Sequence, residues 1–118
     1  MGRIMGIGVD VVDLARFERA LSRTPRLLER LFADHERDLP LRSLAGRFAA
    51  KEALMKALGA TEGVTWHDMR VVSGADGNPD LVVSGRVAEI VAERGIASLH
   101  LSMSHDAGVA VAFVVAES

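Results

Sequence analysis

Gly46-Arg47-Phe48-Ala49-Ala50-Lys51-Glu52-Ala53-Leu54-Met55-Lys56-Ala57-Leu58-Gly59 spells a helix. Ala, Leu, Met, Lys and Glu are strong helix formers, no β-branched residue interrupts them, and Gly59 stands where a C-terminal cap belongs. At about 100° per residue, Arg47 and Lys51 share one edge, and Glu52 and Lys56, an i,i+4 pair, share another. Phe48 and Met55 flank that second edge on one side, Ala49 and Ala53 on the other. A solvated helix gathers its charges on one broad face. Here a carboxylate and an ammonium interrupt an apolar one. An ordinary surface pair contributes only about 0.2–0.5 kcal/mol. The placement points to function only if other segments bring matching chemistry to this helix.

Toward the N-terminus, Ile4 to Val12 has the character of a buried strand, with Gly6 and Gly8 permitting close backbone approach. Asp10 lies inside this run. A carboxylate among valines is unfavourable unless it is paired, hydrogen-bonded or holding a metal. Asp13 is the better placed cap for the helix at residues 14–22, which turns Leu14, Phe17 and Leu21 inward. Thr24-Pro25 restarts a second helical turn. Arg16, Arg19, Arg23, Arg26 and Arg30 recur at 3-4-3-4 spacing, one ridge on a continuous helix, although Pro25 can break the phase. Only Glu18 and Glu29 dilute these arginines, in a chain of net charge −2. Such a ridge suits an acidic protein partner or phosphate groups. Ala33 to Leu44 reads as a short polar helix and connector, with Asp34 as its cap and Pro40 as a breaker.

Toward the C-terminus, Thr61 to Ser73 reads as a loop entering a strand. Gly74-Ala75-Asp76-Gly77-Asn78-Pro79 is a turn cluster, and Leu81-Val82-Val83 is a returning strand. Arg86 to Arg94 forms a helix stopped by Gly95. Ser98, His100, Ser102 and Ser104 then alternate with Leu99, Leu101 and Met103, a period of two. His105-Asp106-Ala107-Gly108 connects this strand to Val109–Ala116, which is apolar on both faces. It must be covered on both sides, and a subunit contact could supply the second cover.

With 118 residues, the chain is expected to form one domain, 1–118. Its 49% hydrophobic content is more apolar surface than a small monomer easily hides, so self-association is expected. The absence of Cys excludes disulfides and thiolate metal sites and suits a reducing cytosol. Met1-Gly2-Arg3-Ile4 opens no signal-peptide core, and the Val109–Ala116 run falls far below the ~18 residues of a membrane helix. The net charge argues against a nucleic-acid binder. A soluble, cytoplasmic protein with no membrane or nucleic-acid partner is expected.

Three separated pieces therefore carry polar groups out of apolar surroundings: Asp10, the Glu52/Lys56 edge, and Ser104-His105-Asp106. Paired carboxylates make a hard oxygen site suited to Mg²⁺, which keeps several waters and takes substrate phosphates as further ligands. Nearby lysines and arginines would hold the phosphates, and a His-Asp pair at a turn could move a proton. No P-loop, Rossmann glycine pattern, zinc motif or G-x-S-x-G elbow is present. The residues by themselves reach Mg²⁺-assisted transfer or hydrolysis at a phosphate.

Gly6-Ile7-Gly8-Val9-Asp10, Gly46-Arg47-Phe48-Ala49-Ala50-Lys51-Glu52-Ala53 with Lys56-Ala57-Leu58-Gly59, Gly77-Asn78-Pro79 and Ser102-Met103-Ser104-His105 resemble the holo-acyl-carrier-protein synthase family. This is the small bacterial type of 4′-phosphopantetheinyl transferase, and the resemblance spans essentially the whole chain. It implies an α+β fold, a small antiparallel sheet packed with a long central helix, assembled as a homotrimer with each active site between two subunits. It implies transfer of 4′-phosphopantetheine from coenzyme A to a serine of apo-acyl carrier protein, in fatty acid biosynthesis, with adenosine 3′,5′-bisphosphate as the other product. By position, Asp10 and Glu52 would bind Mg²⁺, and Arg47 and Lys56 would contact coenzyme A phosphates, which Gly59 would let its backbone approach. His105 would enter the same site from the neighbouring subunit. Arg16, Arg19, Arg23 and Arg26 would dock the acidic carrier protein. His105 and Asp106 are the candidate proton-transfer residues, with Asp10 or a metal-bound water as alternatives. Three positions depart from the family: Ala33 for a threonine, Asn78 for the lysine of Gly-Lys-Pro, and Met55 for a serine. An inactive carrier-binding scaffold would need none of Asp10, Glu52 and Lys56. A Mg²⁺-dependent nucleotide hydrolase would leave the arginine ridge without a purpose.

Overall fold

Gly6 and Gly8 let the central helix lie directly on the first strand. A Cβ on Gly6 would fall 1.9 Å from the carbonyl oxygen of Ala57, and one on Gly8 1.8 Å from that of Ala53. Neither position accepts a side chain without moving the helix. The computed structural model describes residues 2–59 and 61–118; Met1, where the stretch read for a leader begins, lies outside them. The elements run β1 (Ile4–Asp13), α1 (Leu14–Arg23), α2 (Leu27–Leu31), α3 (Leu41–Leu58), β2 (Met69–Ser73), β3 (Pro79–Val83), α4 (Gly85–Glu93), β4 (Ser98–Asp106) and β5 (Val109–Glu117).

The class is α+β, as expected, but the strands form two sheets. β1, β5 and β4 make a three-stranded antiparallel sheet with β5 central, and β2 pairs with β3 alone. In β5, Ala110, Ala112, Val114 and Ala116 are fully buried beneath α3. Their small size continues the close approach begun by the glycines of β1. On the opposite face, Ile7, Val9, Val11 and Phe113 remain 56%, 46%, 59% and 44% exposed. Val9 sits opposite Phe113 and Val11 opposite Val111, so they form a continuous apolar patch. The chain covers only one of β5's two apolar faces.

The central helix starts earlier than its composition suggests, at Leu41, directly after Pro40. The segment before it is a 3₁₀ turn at Asp34–Glu36, not a polar helix, and Asp34 is not its cap. Ala33 takes the N-cap position, and Glu36 Oε1 accepts a hydrogen bond from the Ala33 amide at 3.1 Å. Asp34 instead pairs with Arg37 at 2.5 Å. The reason is tertiary: Glu36 is drawn into the core by a buried lysine, described below. Asp13 does cap α1, its Oδ1 accepting from the Arg16 amide at 2.9 Å. Pro25 does break the arginine ridge, since α1 ends at Arg23 and α2 begins at Leu27.

At its far end α3 stops at Gly59, which adopts a left-handed φ of 73° and donates its amide to Met55 at 3.0 Å. The last carbonyls of a helix need other donors. Arg94, just past α4, supplies them, donating to the carbonyls of Ala57 and Leu58, and to that of Met5 on β1 at 3.0 Å. One guanidinium thus ties the end of α3 to β1. Arg94→Ala should lower stability by about 1.5–3 kcal/mol, the range for hydrogen bonds from a charged group. Chemical denaturation measures it, and an unchanged midpoint would mean water replaces the guanidinium without loss.

Candidate active site

β1 and α3 bring the first two polar pieces together. Asp10 faces the helix, on the same side of the strand as Gly6, Gly8 and Val12. Lys56 Nζ lies 3.0 Å from Asp10 Oδ1 and donates to the Val9 carbonyl at 2.9 Å. Glu52, one turn earlier on α3, opens onto the same cleft of about 470 Å³, together with Arg16, Phe17 and Phe48. Burial pushes the Glu52 carboxyl upward, the Asp10 carboxylate adds to this, and Lys56 opposes it. Two carboxylates held near one another are what a divalent cation relieves. Among the described residues no cluster of three His, Cys, Asp or Glu side chains could hold a metal. A hard cation here would take most of its ligands from water and substrate, which suits Mg²⁺.

Aromatic rings build one wall. Phe17 stacks on Phe48 at 5.3 Å, Phe48 meets Trp66 at 5.4 Å, and Phe32 meets Phe17 edge-on at 6.4 Å. Arg16, Arg19 and Arg23 border a neighbouring hollow on α1. Arg16 therefore belongs both to the arginine ridge and to the Asp10 cleft. Arg26 falls on the link ahead of α2 and is exposed.

The remaining predicted residues lie across α3. Arg47 and His105 line a second cleft of about 190 Å³ with Ser43, Ser73 and Pro79, and no carboxylate among the described residues lines it. Arg47 donates to the Val71 carbonyl at 3.1 Å. His105 Nε2 lies 3.1 Å from the Arg42 carbonyl oxygen. A carbonyl only accepts, so Nε2 carries the hydrogen, and in the neutral ring Nδ1 keeps its lone pair. Gly46 makes room for this contact, because a Cβ there would sit 3.0 Å from Nε2.

Within the chain, then, Arg47 and His105 are separated from Asp10, Glu52 and Lys56. Nor do His105 and Asp106 act as a pair: successive strand residues face opposite ways, so His105 turns toward α3 and Asp106 away from it. Sequence reasoning also missed a buried group. Lys51, read as sharing an edge with Arg47, is completely buried, and so is Glu36. Lys51 Nζ donates to the Leu31 carbonyl at 2.5 Å, lies 3.4 Å from Glu36 Oε1, and sits over the Phe32 ring. Burial pulls the Lys51 ammonium below its ordinary value, against the pull of Glu36. No local signal in the sequence marked this pair, because Lys51 and Glu36 lie 15 residues apart on different elements.

Asp10, Glu52 and Lys56 thus share one cleft, and Arg47 and His105 another. The sequence model of the 4′-phosphopantetheinyl transferase superfamily (ACPS) matches residues 6–114, and the chain belongs to that family. It is 63% identical over 114 residues, 97% of each chain, to the holo-[acyl-carrier-protein] synthase of Leifsonia xyli subsp. xyli. Its fold matches the crystal structure of the Neisseria meningitidis holo-[acyl-carrier-protein] synthase with a TM-score of 0.89 and 33% identity, covering 98% of this chain and 100% of that one. It also matches the Helicobacter pylori synthase, solved in complex with coenzyme A, at TM-score 0.80 and 35% identity over 93% and 98% of the two chains.

Proposed function

We propose that the chain, acting as one domain, transfers 4′-phosphopantetheine from coenzyme A to a serine of apo-acyl carrier protein in the cytoplasm, supporting fatty acid biosynthesis. The observation that carries this reading is the grouping of Asp10, Glu52 and Lys56 on one cleft with Arg16 at its rim. In the reaction the serine oxygen forms a bond to the β-phosphorus of coenzyme A as that phosphorus loses its bond to the bridging oxygen. Adenosine 3′,5′-bisphosphate leaves, and the serine proton must pass to a base. Asp10 and Glu52 would hold Mg²⁺, which supplies charge neutralisation at the pyrophosphate. Lys56 supports the same charge directly, and Gly59 leaves the end of α3 open to a phosphate. With Nε2 engaged by the Arg42 carbonyl, the Nδ1 lone pair of His105 would be the group to accept the serine proton.

The separation of the two clefts supports a shared site. The Asp10 cleft borders β1 and the His105 cleft borders β4, the opposite edges of the three-stranded sheet. A heterologous contact joining opposite edges builds a ring when its rotation closes. The exposed face of Ile7, Val9, Val11 and Phe113 offers apolar surface for such a contact, and this supports a homotrimer with active sites between subunits. The decisive assay mixes apo-acyl carrier protein, coenzyme A and Mg²⁺ and looks by mass spectrometry for the phosphopantetheine adduct. Release of adenosine 3′,5′-bisphosphate without an adduct would favour a hydrolase, and no turnover would favour a scaffold.

The arginines of α1 would meet the acidic carrier protein. Exposed ion pairs contribute about 0.2–1 kcal/mol each, so Arg19→Ala with Arg23→Ala should raise the carrier KM several-fold and leave the coenzyme A KM unchanged. Added salt should reproduce the effect, because the Debye length falls below ~10 Å above 0.1 M. A rise in the coenzyme A KM instead would reassign the ridge.

A further inference from the structure

The chemistry outlined so far makes no use of Glu36, yet Glu36 and Lys51 are charged side chains buried completely in the core. Burying such a pair does not in itself favour folding over an apolar pair of the same volume. Lys51 alone does not account for Glu36. Only Oε1 is engaged, by Lys51 Nζ at 3.4 Å and the Ala33 amide at 3.1 Å. The other oxygen, Oε2, is buried with no hydrogen-bond partner, and so is Nε of Arg47. These two orphaned atoms face one another at 3.9 Å.

That geometry has a direct consequence for Arg47. Its guanidinium donates from Nη1 to the Val71 carbonyl and faces the Glu36 carboxylate across 3.9 Å at Nε. The remaining edge of the fork is left to the cleft that His105 shares, which no carboxylate among the described residues lines. Glu36 also serves two cations at once. Its single negative charge faces both Lys51 and Arg47, so the group carries a surplus positive charge beside that cleft. A planar guanidinium fixed at one edge, with net positive charge behind it, is preorganised for a phosphate at the other edge.

We infer that Glu36 is a positioning residue for substrate binding, holding the Arg47 guanidinium in the orientation in which it receives a phosphate of coenzyme A. This rests on the proposed role of Arg47 and deepens it. Glu36 touches no substrate; it acts through Arg47. Without its charge, Arg47 keeps the Val71 contact but loses the restraint that fixes its plane.

Coenzyme A affinity, measured by calorimetry on the whole protein for Glu36→Gln, Arg47→Ala and the double variant, tests this. Each single change should weaken coenzyme A binding by about tenfold, and the double variant should be no weaker than Arg47→Ala, since the two act through one contact. KM for coenzyme A should rise while kcat stays within a few-fold. Because Glu36→Gln leaves Lys51 buried without its counter-charge, Glu36→Gln with Lys51→Met is measured alongside as a fold-preserving control and should show the same weakened affinity. Wild-type affinity in either folded Glu36 variant while Arg47→Ala binds poorly overturns the inference, as does full additivity in the double variant. Unchanged affinity in Arg47→Ala itself removes the reading of Arg47 on which the inference stands.

Discussion

Glu52→Gln should leave a folded protein with less than about one part in 10² of wild-type turnover, the scale on which electrostatic stabilisation of a transition state is lost. Glu52 is half-buried on α3, and its carboxyl is pushed upward by burial and by Asp10. The amide keeps the shape and removes the charge, so the packing around this position is untouched. Removing one of two crowded carboxylates should if anything relieve the fold, so melting should occur at or above the wild-type temperature. Loss of turnover with retained or raised stability separates a functional carboxylate from a structural one. Wild-type turnover at ordinary Mg²⁺ would take Glu52 out of the site, and collapse of the fold would make it structural.

The second large effect concerns His105. His105→Ala should lower kcat by more than ~10²-fold, the contribution of a positioned base, and leave carrier binding intact. The separation of the clefts adds a sharper expectation. If each site takes Glu52 from one subunit and His105 from the next, chains carrying Glu52→Gln and chains carrying His105→Ala, each inactive alone, should recover activity when refolded together. Random equal mixing in a ring gives both groups to about one site in four, so about a quarter of wild-type activity should return. Mixed trimers seen by mass spectrometry without any recovery would mean that both groups act within one chain, or that His105 is not the base.

Much of this was written locally in the sequence. Glu52 and Lys56 stood out because helical periodicity put them on an apolar face, and Asp10 because valines surround it. The uncovered sheet face was legible from β5, whose residues are apolar at every position whichever way they point. Lys51 was not legible. Its burial depends on Leu31 and Glu36, 20 and 15 residues away in sequence, and no local pattern marks a lysine whose partner lies in a loop. The same blindness misassigned the cap at Asp34, since Glu36 turns inward to meet that lysine and Arg47. His105 and Asp106 misled in the opposite way: neighbours along the chain, they are parted by the pleat of the strand. Where two side chains depend on strand pleat or on a long-range partner, the linear order of residues carries little information about them.

The bare backbone of β1 at Gly6 and Gly8 has an effect on reproducibility. Asp10 belongs to the strand and Glu52 to the helix, so the spacing between the carboxylates is the spacing between two elements. Where side chains separate a helix from a strand, that spacing drifts whenever a rotamer changes. Here the backbone at Gly6 and Gly8 rests against the carbonyls of Ala57 and Ala53, and at these two positions no side chain stands between the elements. The carboxylate pair is gauged by contact between main chains, like two parts seated on a machined shoulder. Random substitution should accordingly find these two hydrogens among the least replaceable atoms of the protein, although neither comes near a substrate. A single methyl at Gly8 would lift α3 and spread the pair it carries.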